Sequence, residues 1–260
     1  METEFKVNEK YWVPAIERAD IVLKEIAENP NQFRLIDLAK KLEINKSSLY
    51  SLLNTMEKLD WIVKGNGDCY SLGPSLGSVS ASYFKQFDIL ESFYTESVNS
   101  LKKINEHMQI GVLQGGNVVY IGKVRGDSHV QLVTEPGTRF PAYSTSIGKI
   151  QLSNFSKKEL RDLYPKEPLE PKTPYTITSI DELYENVRIA KIEGFVEEHQ
   201  ESAEGFHCVA APVFNYEKKI IAGISFAMTT SNWEHKSEEA RSEIMSLAKR
   251  LSMHAGYRFS

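Results

Sequence analysis

Residues 33 to 72 constrain this chain more than any other stretch, because one apolar period runs through two helices and then gives way to short strands around a glycine turn. Apolar residues fall at Leu35, Leu38, Ala39 and Leu42 over 33–42, and at Leu49, Leu52, Leu53 and Met56 over 46–59. That i, i+3, i+4, i+7 spacing predicts two amphipathic helices with a shared core, joined by the tight turn Glu43-Ile44-Asn45. The other side of the second helix repeats the spacing with Ser47, Tyr50, Ser51 and Asn54, which hydrogen-bond phosphates or base edges. A DNA major groove accepts such a face. Residues 61–64 and 68–72 read as two strands around Gly65-Asn66-Gly67, the wing of a winged helix-turn-helix. Asn45, Lys46, Ser47, Ser48, Tyr50, Ser51, Asn54, Lys64 and Asn66 are the candidate DNA contacts.

Charge gives this module little help. Residues 1–80 hold 10 Lys and Arg against 12 Asp and Glu, and 34–64 hold six against four. Neutralising phosphates supplies most non-specific affinity, so one copy should hold DNA poorly and a dimer or larger assembly is expected. A chain of 260 residues, 41% hydrophobic and 25% charged, is long enough for two globular domains. No apolar run reaches membrane-spanning length and the first eleven residues are charged rather than apolar, so a cytoplasmic protein with no membrane partner is expected. Cys69 and Cys208 lie far apart in sequence, which argues against a disulfide framework.

A first helix is predicted from Pro14, burying Ile16, Ala19, Leu23 and Ile26. After the wing, Gly73-Pro74 breaks the strand and a serine-rich helical connector follows. A longer helix is expected over 88–107, with Leu90, Phe93, Leu101 and Ile104 on one side. The period then switches to two: strands over 109–114 and 118–124 flank Gly115-Gly116-Asn117. A strand near 130–133 and a loop through Gly137 and Pro141 come next, then helices introduced by the capping boxes Ser156 with Glu159 and Ser179 with Glu182. Gly194 reads as a helix C-cap. Strands at 195–198, 208–214 and 220–228 and a closing helix over 237–255 complete the chain. Strand pairs separated by helices, without regular βα alternation, predict an α+β fold with an antiparallel sheet and helices beside it. The expected domains are 1–73 for DNA binding, a connector at 74–87, and an effector domain at 88–260.

Read in order, these segments resemble the IclR family of bacterial transcriptional regulators over nearly the whole chain. The resemblance rests on Pro14-Ala15-Ile16-Glu17-Arg18-Ala19, Leu38-Ala39-Lys40-Lys41-Leu42, Lys46-Ser47-Ser48-Leu49-Tyr50 and Tyr70-Ser71-Leu72-Gly73 in the first half. In the second half it rests on Val118-Val119-Tyr120, Gly148-Lys149, Thr176-Ile177-Thr178, and Cys208-Val209-Ala210-Ala211-Pro212-Val213. It implies a GAF-like effector domain, dimerisation through the DNA-binding half, and often a tetramer through the effector domains. The family usually has arginine where this chain has Ser51 and Ser71, and arginine is best suited to bidentate guanine or phosphate contacts. The departure agrees with the weak basic patch.

The resemblance also carries the family's effector pocket onto Phe140, Ser146, Glu198, Cys208, Ser225 and Ala227. Read by themselves, these residues are compatible with a small-molecule site. Ser146 is expected in a loop before a helix, where a hydroxyl and free N–H groups receive a carboxylate. Phe140 suits an apolar wall, Glu198 suits donors on the ligand, and Cys208 and Ser225 lie on strands where they serve equally well as core residues. Gly148-Lys149 is no phosphate-binding loop, since Tyr143 and Ile150 stand where Gly and Ser or Thr are needed. His199, His207 and Cys208 match no zinc spacing, and surface histidines are expected. No cofactor or metal is expected. The leading reading is therefore a metabolite-responsive regulator, more readily a repressor, on pseudo-palindromic double-stranded DNA. Its effector would be a small carboxylate or aromatic acid, and the assembly a homodimer or homotetramer. The alternative is a cysteine-dependent hydrolase with a vestigial helix-turn-helix, with Cys208 as nucleophile; neighbouring strand residues such as His207 and Cys208 face opposite ways, which weakens it.

Overall fold

The two helices of the motif form where the apolar spacing puts them, and a third completes their core. The computed structural model describes residues 12–127 and 134–259 and divides into two compact units, Met1–Gln86 and Phe87–Ser260. In the first, helices α1 (Pro14–Glu28), α2 (Leu35–Lys41) and α3 (Lys46–Lys58) pack around Val22, Ile26, Leu38, Leu49, Leu53 and Met56. Proline in the first turn of α1 removes an N–H that would have no helical partner. The antiparallel pair β1 (Ile62–Lys64) and β2 (Tyr70–Leu72) closes this core with Ile62 and Tyr70. Two expectations fail here: Ile16 is 68% exposed, and Leu23 is only partly buried while its neighbour Val22 is wholly buried. The core closed by the seven-residue α2, by α3 and by three-residue strands is already filled by Ala19, Val22 and Ile26, so the first turn of α1 lies outside it. Helix α4 (Pro74–Gln86) follows the wing.

The second unit begins with α5 (Ile89–Ile104), which the Asp88 carboxylate caps by accepting the Leu90 and Glu91 N–H groups at 2.7 and 3.3 Å. It stops before the expected 107 because Asn105 turns left-handed (φ 53°) and His107 already belongs to a strand. Strands β3 (His107–Gln114), β4 (Asn117–Val124), β5 (Arg139–Pro141), β6 (Val196–His199), β7 (Phe206–Phe214) and β8 (Ile220–Thr229) form one antiparallel sheet in the order β5-β4-β3-β8-β7-β6. β5 lies where a loop was expected and pairs Phe140 with Val118. The strand expected near 130–133 falls outside the described residues.

Alternation in the central strands builds two separate cores. Met108 and Ile110, Val209, Ala211 and Val213, and Ile224, Phe226 and Met228 face α5 and the closing helix α9 (Thr230–His254). α9 starts seven residues before the expected 237, since Thr229 caps it by accepting the Asn232 N–H at 3.4 Å. On the other face, Val118, Tyr120, Val196 and Ala210 meet α6 (Ser146–Leu152), α7 (Lys157–Leu163) and α8 (Ile180–Glu193). Ser156 and Glu159 form the expected capping box on α7. Helix α6 lies very close to the sheet: a Cβ added at Gly223 would stand 2.9 Å from the Ile147 carbonyl oxygen.

Candidate functional site

Two faces hold the residues that the sequence singles out. In the first unit, Asn45 to Ser48, Tyr50, Ser51 and Asn54 are all exposed along α3, while Leu49, Leu53 and Met56 are buried behind them. Several of these groups also serve the helix itself. Asn45 Oδ1 accepts the Ser47 N–H at 2.9 Å and the Ser47 hydroxyl at 2.7 Å, which caps α3. The Ser51 hydroxyl donates back to the Ser47 carbonyl at 3.2 Å. Lys46 is the first residue of α3, where a cation faces the positive end of the helix dipole. On the wing, Lys64 is paired with Asp68 at 2.9 Å, and Asn66 is exposed at the tip.

In the second unit, strand register gathers the effector candidates onto the α6 side of the sheet. Cys208 stands opposite both Glu198 and Ala227, and Ser225 stands opposite both Ala210 and Gln109. Residues directly opposite one another share a face. Phe140 meets the ring of Tyr120 edge-on at 6.2 Å, and the Tyr120 phenol bonds Thr145. Ser146 is not in a loop: it is the first residue of α6, capped by Thr145, whose hydroxyl accepts the Gly148 N–H at 3.0 Å. The cap reaches the backbone N–H three residues on, inside the helix, and sequence spacing alone gave no sign that Thr145 would take that place.

Charged groups buried on this face have definite partners. Lys149 is wholly buried and ion-paired with Glu201. Isolating either would leave an uncompensated charge in a low dielectric, which costs about 3–5 kcal/mol. The Glu198 carboxylate is also engaged: its Oε1 accepts the N–H groups of Glu201 and Ser202, and its Oε2 accepts the Ser202 hydroxyl at 3.3 Å. It therefore holds the turn after β6. Burial pushes Glu198 up to about 7; the nearby Glu201 carboxylate adds to this, while the Ser202 N–H and the Lys149 charge oppose it. Burial likewise pushes the Cys208 thiol well up, and Glu198 lies against it. Sequence reading missed Tyr120, Gln109, Lys149 and Glu201. Val118-Val119-Tyr120 and Gly148-Lys149 were visible as motifs, but nothing in spacing pairs residue 149 with residue 201.

The cysteine-hydrolase arrangement is not formed. His199 and His207 stand opposite each other, one residue out of step with Glu198 and Cys208, so they occupy the other face of the sheet. Their Nδ1 atoms are 3.0 Å apart, and His207 stacks on Trp233 at 5.4 Å. The expectation of surface histidines holds for His199 and fails for His207, which is buried because Trp233 of α9 covers it. Among the described residues no three His, Cys, Asp or Glu side chains gather as a metal site, and no helix is long and apolar enough to cross a membrane.

A helix-turn-helix with a wing, followed by a separate two-faced α+β domain, defines a DNA-binding regulator with an effector domain. Comparison with known proteins identifies which one. A family model described as "IclR helix-turn-helix domain" matches residues 15–65, and one described as "Bacterial transcriptional regulator IclR C-terminal" matches residues 81–253. The chain belongs to the IclR family and is a ligand-responsive, DNA-binding transcriptional regulator. It is 26% identical over 238 residues to the HTH-type transcriptional regulator KdgR of Dickeya chrysanthemi, covering 91% of this chain and 78% of that one. It is 27% identical over 248 residues to XynR of Escherichia coli K12, covering 94% and 98%. Among solved structures, the Agobacterium tumefaciens repressor BlcR superposes with a TM-score of 0.79 at 28% identity, covering 95% of this chain and 99% of that one.

The raised Glu198 carboxyl sets a pH dependence. A proton held more tightly when folded contributes stability that is complete below the ordinary value of 4.5 and is lost as pH rises through about 7. Thermal unfolding of the second unit should therefore become easier between about pH 5 and about pH 8, with a share from Glu198 on the order of 3 kcal/mol. Glu198→Gln keeps an acceptor for the two N–H groups and should flatten that dependence. An unchanged slope in this variant would assign the titration to another group.

Proposed function

We propose that the chain is a repressor that holds a pseudo-palindromic operator as a dimer or tetramer and releases it when a small metabolite enters the effector domain. The observation that carries this reading is the exposed polar face of α3, fixed by a rigid apolar core behind it. Lys46 would contact phosphate, Tyr50 and Asn54 the groove, and Lys64 and Asn66 of the wing the flanking backbone, with Asn45, Ser47, Ser48 and Ser51 completing the face. Residues 1–73 would form the DNA-binding domain, 74–87 the connector and 88–260 the effector domain, acting in the cytoplasm.

Self-association finds support on α1. Trp12, Val13, Ile16 and Ile21 are exposed by 42 to 68% and line a cavity of about 570 Å³. An apolar patch on a helix whose other side is already packed is what a dimer contact needs. A two-module assembly also compensates for the weak basic patch.

The effector would lie on the α6 face, among Phe140, Ser146, Glu198, Cys208, Ser225 and Ala227. A small carboxylate or aromatic acid fits best: Phe140 and Tyr120 offer apolar walls, and the Ser146 and Ser225 hydroxyls offer donors. Lys149 is committed to Glu201, so the ligand anion would be bound by neutral donors. Binding would change how two DNA-binding modules are spaced through the connector, by the difference in its affinity for the two arrangements. A thiol pushed up by burial, with His199 and His207 on the opposite face of the sheet, supports binding without catalysis.

Three measurements test these proposals. In operator titrations Lys46→Ala should weaken all duplexes alike and lower the salt slope by about 1; loss of sequence preference at unchanged slope would make Lys46 a base reader. Ile16→Glu should shift sedimentation toward smaller species with the fold retained, and an unchanged assembly would move the contact elsewhere. Ser225→Ala removes one hydroxyl, a loss of about 0.5–1.5 kcal/mol, so the effector dose that releases operator should rise several-fold. A dose response identical to wild type would take the ligand off this face.

A further inference from the structure

The far end of β7 holds a second cavity that the regulatory reading does not use. It measures about 620 Å³, within the ~300–1,000 Å³ of small-molecule sites. Its body is apolar, with Ile150 of α6, Phe214 of β7, Ile220 of β8, Met245 of α9 and Phe259 of the tail. It exists because β6 pairs with β7 only through Ala210, leaving Ala211 to Phe214 without a strand on that side. The chain enters β6 from Gly194, the left-handed cap of α8 (φ 75°), and a Cβ there would stand 3.8 Å from Met245 Cε. α8 and α9 thus face each other across an open sheet edge. Phe214 lies six residues beyond Cys208, roughly 20 Å along the strand from that effector candidate.

The charged lining is of one sign. Lys191 of α8, Lys218 of the β7–β8 turn and Lys249 of α9 border the cavity, and no Asp or Glu does. None of the three is ion-paired among the described residues; Lys249 lies over the Phe259 ring at 5.3 Å. Two macromolecular occupants fit poorly. An added strand needs N–H donors along the edge, but Pro212 has none and the Phe214 N–H already donates to Ser252 Oγ at 2.9 Å. A second copy docking by a two-fold axis would bring two sets of these lysines together.

We infer that this groove at the open edge of β7 binds an amphipathic organic anion, an acyl or aromatic body in the apolar cavity with its carboxylate among Lys191, Lys218 and Lys249. None of the six effector candidates lines this groove, so an anion bound there is a second input to the same domain.

The test uses the full chain labelled with carbon-13 at its methionine methyls, titrated with decanoate and in parallel with decanol. The Met245 signal, assigned with Met245→Leu, shifts saturably with decanoate and at least about tenfold more weakly with decanol. Lys191→Ala with Lys249→Ala, both exposed positions, lowers the decanoate affinity by about tenfold. Ser246→Trp, which fills the groove from its exposed rim, abolishes the shift at an unchanged unfolding temperature. Equal responses to decanoate and decanol, or an affinity unchanged in the double variant, overturn the anion site. A Met245 signal that follows protein concentration and ignores decanoate assigns the groove to a second copy, and no response to any of these removes a ligand from it; both overturn the proposal.

Discussion

A β-strand presents alternate side chains to its two faces, and the central strands of the second unit keep that alternation with opposite chemistry on each side. On β7, Val209, Ala211 and Val213 are packed into the α5 and α9 core, while Cys208, Ala210 and Pro212 face α6 and α8. On β8, Ile224, Phe226 and Met228 join the first set, and Gly223, Ser225 and Ala227 the second. One face is large and apolar, so it is a core. The other is small and partly polar, so a helix approaches it closely and polar groups remain between them. The effector face follows from that difference in size, and a slip of register by one residue would exchange the two faces.

Placing α6 so close to the sheet has an electrostatic consequence. Lys149 is carried into a region without solvent, where an unpaired ammonium would not stay charged, and Glu201 is brought to meet it. Glu201 lies in the turn that Glu198 ties down through two N–H groups. Three ionisable residues from α6, β6 and the following turn are therefore mutually dependent, and the turn is fixed beside Cys208 and Ser146. Glu198 has the role of a support for this face as well as a boundary of it, because both its oxygens are engaged by the protein.

The DNA-binding unit divides its polar groups in a similar way. Asn45 and Ser47 cap α3, and Ser51 bonds back to the helix, so Lys46, Ser48, Tyr50 and Asn54 remain among the candidates as groups whose side chains reach outward without a helical duty. The serine at 51 agrees with this division, since a hydroxyl satisfied by a backbone carbonyl offers less to a base edge than a guanidinium would. On α1 the core ends at Ala19, and the apolar turn before it stays uncovered.

The sequence by itself determined the helix-turn-helix, the wing, most strands and helices of the second unit though not β5, and the opposite orientation of His207 and Cys208. Each of these depends on a local period of 3.6 or 2, or on a cap within a few residues, which a sequence carries directly. It also gave the resemblance through which the effector residues were named. Apart from helix ends such as those of α5 and α9, where it failed the reason was distance along the chain. Ile16 was foreseen as buried because the stripe of α1 continues through it, yet the extent of that core depends on how far α3 and the wing reach. Only tertiary structure joined Lys149 to Glu201, turned Glu198 inward onto the following turn, buried His207 under Trp233 and left the end of β7 open. All four depend on residues that fold topology brings together from separate elements, and no local spacing encodes such an encounter.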